Sequence, residues 1–258
     1  MHGLAREAVL VTVAILLYFG IRNLTAGSAD AAFANADRLV SLEGALGVDW
    51  ERRLQAATLS SDELVTLANW VYIWGHWPVI LGVAILLYLI RPTHYYILRN
   101  AMFVSGFIGF AFFALFPVAP PRLLEVGLVD TVTERSQAYR ALQPPGLTNQ
   151  YAAFPSLHAG WNLLVGIVVA MAVASVALRI VAATLPVAMA LAVVVTGNHF
   201  VIDVAAGLVV VLIGLAAALV LQSRQDASTL GVDGLSGKRG GTSARPNRVA
   251  VRRGASGR

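Results

Sequence analysis

What this chain can fold into is limited most sharply by six apolar stretches, residues 8–21, 67–90, 100–116, 156–178, 180–196 and 200–221. Between them they carry a single formally charged side chain, Asp203. One soluble core cannot bury so many long runs, whereas about 20 apolar residues is what a helix needs to cross the hydrocarbon of a bilayer. The composition agrees, with 57% of residues hydrophobic and 13% charged, against about 25% charged in soluble domains. The fold class read from this pattern is an all-α polytopic membrane protein, six transmembrane helices in a bundle. Residues 1–221 form the membrane domain. Residues 222–258 are Gly/Ser/Arg-rich without apolar periodicity, and are expected to form a disordered basic tail.

The net charge of +5 is a property of that tail, which holds eight basic residues against Asp226 and Asp233. No nucleic-acid-binding surface is implied. The absence of cysteine excludes disulfides and thiolate metal sites. Residues 8–21 follow Arg6 and precede a small-residue segment, as in a signal peptide, but read better as an uncleaved first span. Arg6, the basic segment 91–99, Arg179 and the tail fall on one side of a six-span plan; the acidic segment 29–63 and the Pro-rich loop 117–154 fall on the other. By the positive-inside rule both termini are cytoplasmic. His158, His199 and Arg122 then share the extracytoplasmic face of the inner membrane.

Residues 29–63 are polar and carry seven Asp/Glu against three Arg. Phe33, Leu39, Val40, Leu42, Leu46 and Val48 recur at roughly helical spacing, which predicts an amphipathic helix lying on the membrane surface. Trp70, Tyr72, Trp74 and Trp77 read as an interfacial aromatic belt. His76, among them, reads as a packing residue.

Chemistry concentrates in residues 151–161 (YAAFPSLHAGW) and 196–207 (TGNHFVIDVAAG). Pro155-Ser156 opens a helix whose first turn holds His158; Ser156 is a favoured N-cap, and free N–H groups there attract anions. His199 and Asp203 are four residues apart and share a helix face, so the carboxylate can hold the far N–H of the imidazole and raise its nucleophilicity. A carboxylate at mid-membrane costs about 2.5–3.5 kcal/mol on insertion scales, which argues for function at Asp203. In the mechanism these residues support, His199 attacks phosphorus and His158 protonates the leaving alkoxide, then activates the acceptor. Arg122 offers a forked donor to phosphoryl oxygens, and Ser156 completes the phosphate cradle. Asn198 either contacts phosphate or caps the sixth helix; Asn162, one turn beyond His158, either orients it or bonds between helices. With His199 and Asp203 paired and no carboxylate cluster facing them, neither a metal nor another cofactor is expected.

AAFPSLHAGW followed by GNHFVID resembles the second and third signatures of the type 2 phosphatidic acid phosphatase superfamily. FPVAPPRLL looks most like the branch containing the inositol phosphorylceramide synthases. The resemblance implies a helical bundle, a metal-independent phosphohistidine mechanism and lipid phosphate or phospholipid substrates. By motif, His158, His199 and Asp203 match the family's catalytic positions, and Arg122 matches the arginine of its first signature. Leu115 stands where the hydrolase pattern has Lys, Ala192 and Val193 where it has Ser-Arg, and Leu157 where it has Gly. Two cations are thus missing from the cradle. That favours a headgroup transferase or diesterase, acting on a phosphodiester near −1, over a phosphatase acting on a terminal phosphomonoester near −2; the branch resemblance implies headgroup transfer of the inositol-phosphate type. The alternatives are a lipid-phosphate phosphatase acting on phosphatidic acid or a polyprenyl pyrophosphate, and a non-enzymatic transporter or membrane scaffold.

Overall fold

The computed structural model describes residues 2–25, 29–135 and 149–236. The chain forms two compact units, Met1–Leu219 and Val220–Arg258. Ten α-helices are described: α1 (His2–Thr25), α2 (Ala29–Leu46), α3 (Glu51–Leu59), α4 (Asp62–Trp74), α5 (Trp77–Ile90), α6 (Pro92–Leu115), α7 (Thr131–Arg135), α8 (Leu157–Ala172), α9 (Val176–Val195) and α10 (Val201–Ser236). No strand occurs among the described residues, where the extended backbone is limited to an isolated bridge between Val118 and Ala152. The all-helical class is as expected.

Among the described residues, three helices are long and apolar enough to span a membrane: α6, α9 and the 201–228 part of α10. The pair α4–α5, bent by 44°, makes a fourth if taken as one span. The expected span 156–178 is shorter than anticipated, because α8 stops at Ala172 and Ser175 caps α9 by accepting from Leu178 N–H. Sixteen residues of helix measure about 24 Å, less than the ~30 Å hydrocarbon core. The break in the second expected span falls at Gly75-His76, where Pro78 starts a new helix. The basic segment 91–99 is not a hinge: Pro92 sits at the first helical position, where its missing N–H costs nothing, and the segment becomes the first turns of α6. There Arg99 pairs with Glu7 of α1, which also accepts from the Tyr95 hydroxyl.

Pro186 lies inside α9 and cannot donate to the carbonyl of Ala182, four residues earlier. Gly166 of α8 packs there: a Cβ on it would come within 2.5 Å of the Ala182 oxygen. The apolar core on the other side of α8 joins Leu157, Trp161, Leu164, Val165 and Val168 to Leu98 and Ala101 of α6 and Val211 of α10.

The segment expected as one amphipathic helix is two, α2 and α3, separated after Gly47 at φ +70°. The face of α2 that packs coincides only in part with the apolar one read from the sequence. It consists of Ala32, Asn35, Ala36, Leu39 and Glu43, while Phe33, Leu42 and Leu46 are exposed. Asn35 donates to the Pro117 carbonyl at 2.9 Å, and Ala119 N–H donates to the Ala32 carbonyl at 3.1 Å, so this face of α2 fastens the start of the Pro-rich loop. In that loop Val118 N–H donates to Tyr151 and Ala153 N–H to Val118, and Pro121–Leu123 forms a 3-10 turn. Residues 222–236, expected within the disordered tail, continue α10 as helix; residues 237–258 of that tail, and 136–148 of the Pro-rich loop, lie outside the described residues.

Candidate active site

Two chain reversals build the site. The first closes α9. Asn198 N–H reaches back to the Val193 carbonyl at 3.1 Å and Gly197 N–H to Val194 at 3.0 Å, a Schellman closure whose left-handed residue is Gly197, φ +75°. It delivers His199 to the head of α10 in a fixed orientation. The second brings in α8: Ser156 Oγ accepts from Ala159 N–H, so the predicted N-cap forms, and Ser156 N–H donates to the Asp203 carbonyl at 2.9 Å. The two helix starts cross closely. A Cβ on Gly160 would come within 2.7 Å of the Gly207 carbonyl oxygen, and one on Gly207 would collide with the Ser156 backbone.

As a result His158 and His199 lie with ring centroids 5.9 Å apart. His199 Nδ1 is 2.8 Å from the Ala153 carbonyl oxygen and 3.5 Å from Asp203 Oδ2. Both neighbours are acceptors, so Nδ1 carries the proton and Nε2 keeps its lone pair. The expected carboxylate–imidazole pairing is present, but the backbone carbonyl is the nearer partner. Asp203 Oδ2 accepts the Phe200 N–H at 2.8 Å, the reciprocal half of a capping box. Its Oδ1 is buried without a hydrogen-bond partner among the described residues.

Arg122 reaches the same place from the 3-10 turn. Its N–H donates to the Gly197 carbonyl at 2.9 Å, its Nη1 donates to Asn198 Oδ1 at 2.5 Å and its Nε pairs with Asp130 at 3.0 Å. Asn198, left between two roles by the sequence, orients the guanidinium and donates to Thr196 Oγ1. Gln55 of α3 ties the scaffold together. Its Nε2 donates to the Val129 and Val195 carbonyls at 2.9 and 3.0 Å, and its Oε1 accepts from Val129 N–H at 2.8 Å.

Several neighbours carried no signal in the sequence. Tyr72, read as part of the aromatic belt, is buried and stacks on His158 with centroids 4.9 Å apart, unlike the exposed Trp70, Trp74 and Trp77. His76 lies 4.2 Å from the His158 ring, its Nδ1 3.1 Å from Asn162 Nδ2, which also donates to the His158 carbonyl. Asn162 thus joins the α4–α5 bend to the first turn of α8, combining both roles considered for it. Glu43 and Glu51, in a segment legible only as acidic, cap the head of α10: Ile202 N–H donates to Glu43 at 2.8 Å and Val201 N–H to Glu51 at 2.7 Å. Burial pushes the Glu43 carboxyl up to about 8, helped by the neighbouring Glu51 and Asp203 and only partly opposed by the Ile202 N–H.

Residues 37–217 match the model of the PAP2 superfamily. The match covers most of the chain, and the chain belongs to that superfamily. Its members are generally phosphatases or phosphotransferases, and the apolar helices make this one a membrane protein. No curated protein and no solved structure matches the chain.

Proposed function

We propose that the protein is a six-span lipid phosphoryl-group transferase working through a phosphohistidine at the outer face of the cytoplasmic membrane. The observation that carries this reading is the pair of acceptors around His199 Nδ1, which leaves Nε2 as the nucleophile beside a second histidine. Nε2 attacks phosphorus as the bond to the leaving oxygen breaks, and His158 gives that oxygen its proton. His158 then takes a proton from the acceptor, whose oxygen displaces His199 and restores the free imidazole. Arg122, aimed by Asn198 and Asp130, stabilises charge on the phosphoryl oxygens, with Ser156 and the first turn of α8 behind them. The resident groups supply nucleophile, acid and charge, and the reaction is expected to proceed in EDTA.

Headgroup transfer of the inositol-phosphate type is the favoured reaction, on a phospholipid or polyprenyl-phosphate donor. Arg122 is already half neutralised by Asp130, Leu115 is 85% exposed, and Ala192 and Val193 are buried apolar residues. None of these three supplies the cations a phosphomonoester at −2 calls for. Simple lipid-phosphate hydrolysis is the second reading, since an acceptor alcohol and water enter by the same chemistry.

Purified protein with EDTA is offered radiolabelled phosphatidylinositol, phosphatidic acid and a polyprenyl pyrophosphate, with and without lipid alcohols. Product that needs the alcohol is expected; free phosphate without it identifies a phosphatase instead. His199→Ala is expected to be inert and to trap no label in acid-labile form. Turnover in that variant equal to the parent's rules out the phosphohistidine.

A further inference from the structure

Four successive N–H groups at the start of a helix have no partner within it. In α10 three of the first of these, on Phe200, Val201 and Ile202, are each taken by a different carboxylate: Asp203, Glu51 and Glu43. Phe200, the residue at the cap, has no side-chain acceptor of its own. Two of the three acids arrive from the separate helices α2 and α3, about 150 residues away in sequence. All three are buried, at 0%, 5% and 2% exposure for Asp203, Glu51 and Glu43. Burial raises the Glu43 carboxyl, opposed by the Ile202 N–H and helped by the neighbouring acids Glu51 and Asp203.

We propose that Glu43 and Glu51 are positioning residues of the active site, a pair of buried carboxyl groups from α2 and α3 that clamps the first turn of α10 and so fixes where His199 presents its nucleophilic nitrogen. The proposal rests on His199 as the reacting group, but the two stand or fall separately. The clamp acts on backbone: Phe200 follows His199 directly, and Val201 and Ile202 complete the turn that carries it. Deleting either carboxyl frees an amide of that turn. The clamp then loosens, and the reacting nitrogen loses its line of attack while the phosphate-binding groups stay in place. The expected signature is therefore a fall in kcat with little change in KM.

The test uses the full-length protein in detergent. Glu43→Ala and Glu51→Ala are each expected to lower kcat at least tenfold with KM within about twofold, and to speed hydrogen exchange at the amides of residues 200–203. Glu43→Gln keeps an acceptor for the Ile202 N–H and is expected to recover most of the activity and parent-like exchange. His199→Ala is expected to be inert with exchange at these amides unchanged, which separates the clamp from the chemistry. Parent-like exchange at residues 200–203 in both alanine variants overturns the proposal, whatever the activity. So does a Glu43→Gln variant as impaired as Glu43→Ala.

Discussion

The backbone N–H of Ser156 donates to the carbonyl of Asp203 at 2.9 Å, and one turn further along the same helix Gly207 has no room for a Cβ against the Ser156 carbonyl. One residue caps the helix that carries His158; the other side of the contact belongs to the helix that follows His199. The spacing of the two histidines is set by this backbone-to-backbone approach rather than by the side chains themselves.

Gly207→Ala is therefore expected to push the starts of α8 and α10 apart. Overpacking of this kind costs about 1–3 kcal/mol, so the variant should unfold at lower temperature and lose most of its turnover. Gly82→Ala, in open space by the same criterion, is the control. Thermal unfolding in detergent and kcat on both variants check the prediction.

Arg122 is held at three points, by the Gly197 carbonyl, Asn198 and Asp130. Lysine keeps the charge and loses the fork. A charge-assisted hydrogen bond is worth about 1.5–3 kcal/mol, so Arg122→Lys should reduce kcat/KM by roughly ten- to a hundredfold. Asp130→Asn, which unburdens the guanidinium, should tighten binding of inorganic phosphate or a phosphomonoester relative to a diester. Inhibition constants for the two anion types measure it.

Gln55→Ala strips the partner from the Val129 N–H and from the Val195 carbonyl, while the Val129 carbonyl keeps the Thr131 N–H. Buried groups left unsatisfied cost about 1–3 kcal/mol each, and a loss of about 2–6 kcal/mol is expected in all. Denaturation of the variant in parallel with Gln222→Ala, whose amide makes only an exposed contact to Asp226, tests the figure.

Glu43 also predicts how stability varies with pH. Its carboxyl is raised from 4.5 to about 8 in the fold, so the folded chain holds a proton that the unfolded chain has released. The resulting stabilisation is complete below about pH 4.5 and is lost progressively as pH rises to 8. Glu43→Gln should flatten the decline between pH 5 and pH 8.5. Thermal midpoints of parent and variant across that range supply the measurement.

The residues proposed to do the chemistry were legible because each carries a local mark. Ser156 precedes an apolar run after a proline, and His199 and Asp203 repeat at the helical interval. What holds them was not legible. The nearest partner of His199 Nδ1 is a main-chain carbonyl, Ala153, 46 residues away, and no side-chain pattern encodes a backbone acceptor. Glu43 and Glu51 look like any acids in a polar segment until α10 arrives with its bare amides. Tyr72 and His76 sit among tryptophans that do face outward, and only the 44° bend at Gly75-His76 turns these two rings inward onto His158. The apolar spacing in α2 misled in part: the helix buries Leu39 with Ala32, Ala36, Asn35 and Glu43 and leaves Phe33, Leu42 and Leu46 exposed. A helix that packs through small residues and hydrogen bonds need not bury its greasier side.

The long reach of the carboxyl pair also fixes an order of events during synthesis. Glu43 and Glu51 leave the ribosome some 150 residues before Val201 and Ile202 exist, and until then both acids must stay hydrated. α2 and α3 have earlier partners in Pro117, Ala119 and Val129, but the two acids gain their backbone donors only when the last helix has been made. The head of α10 is thereby the last piece that the acidic segment waits for.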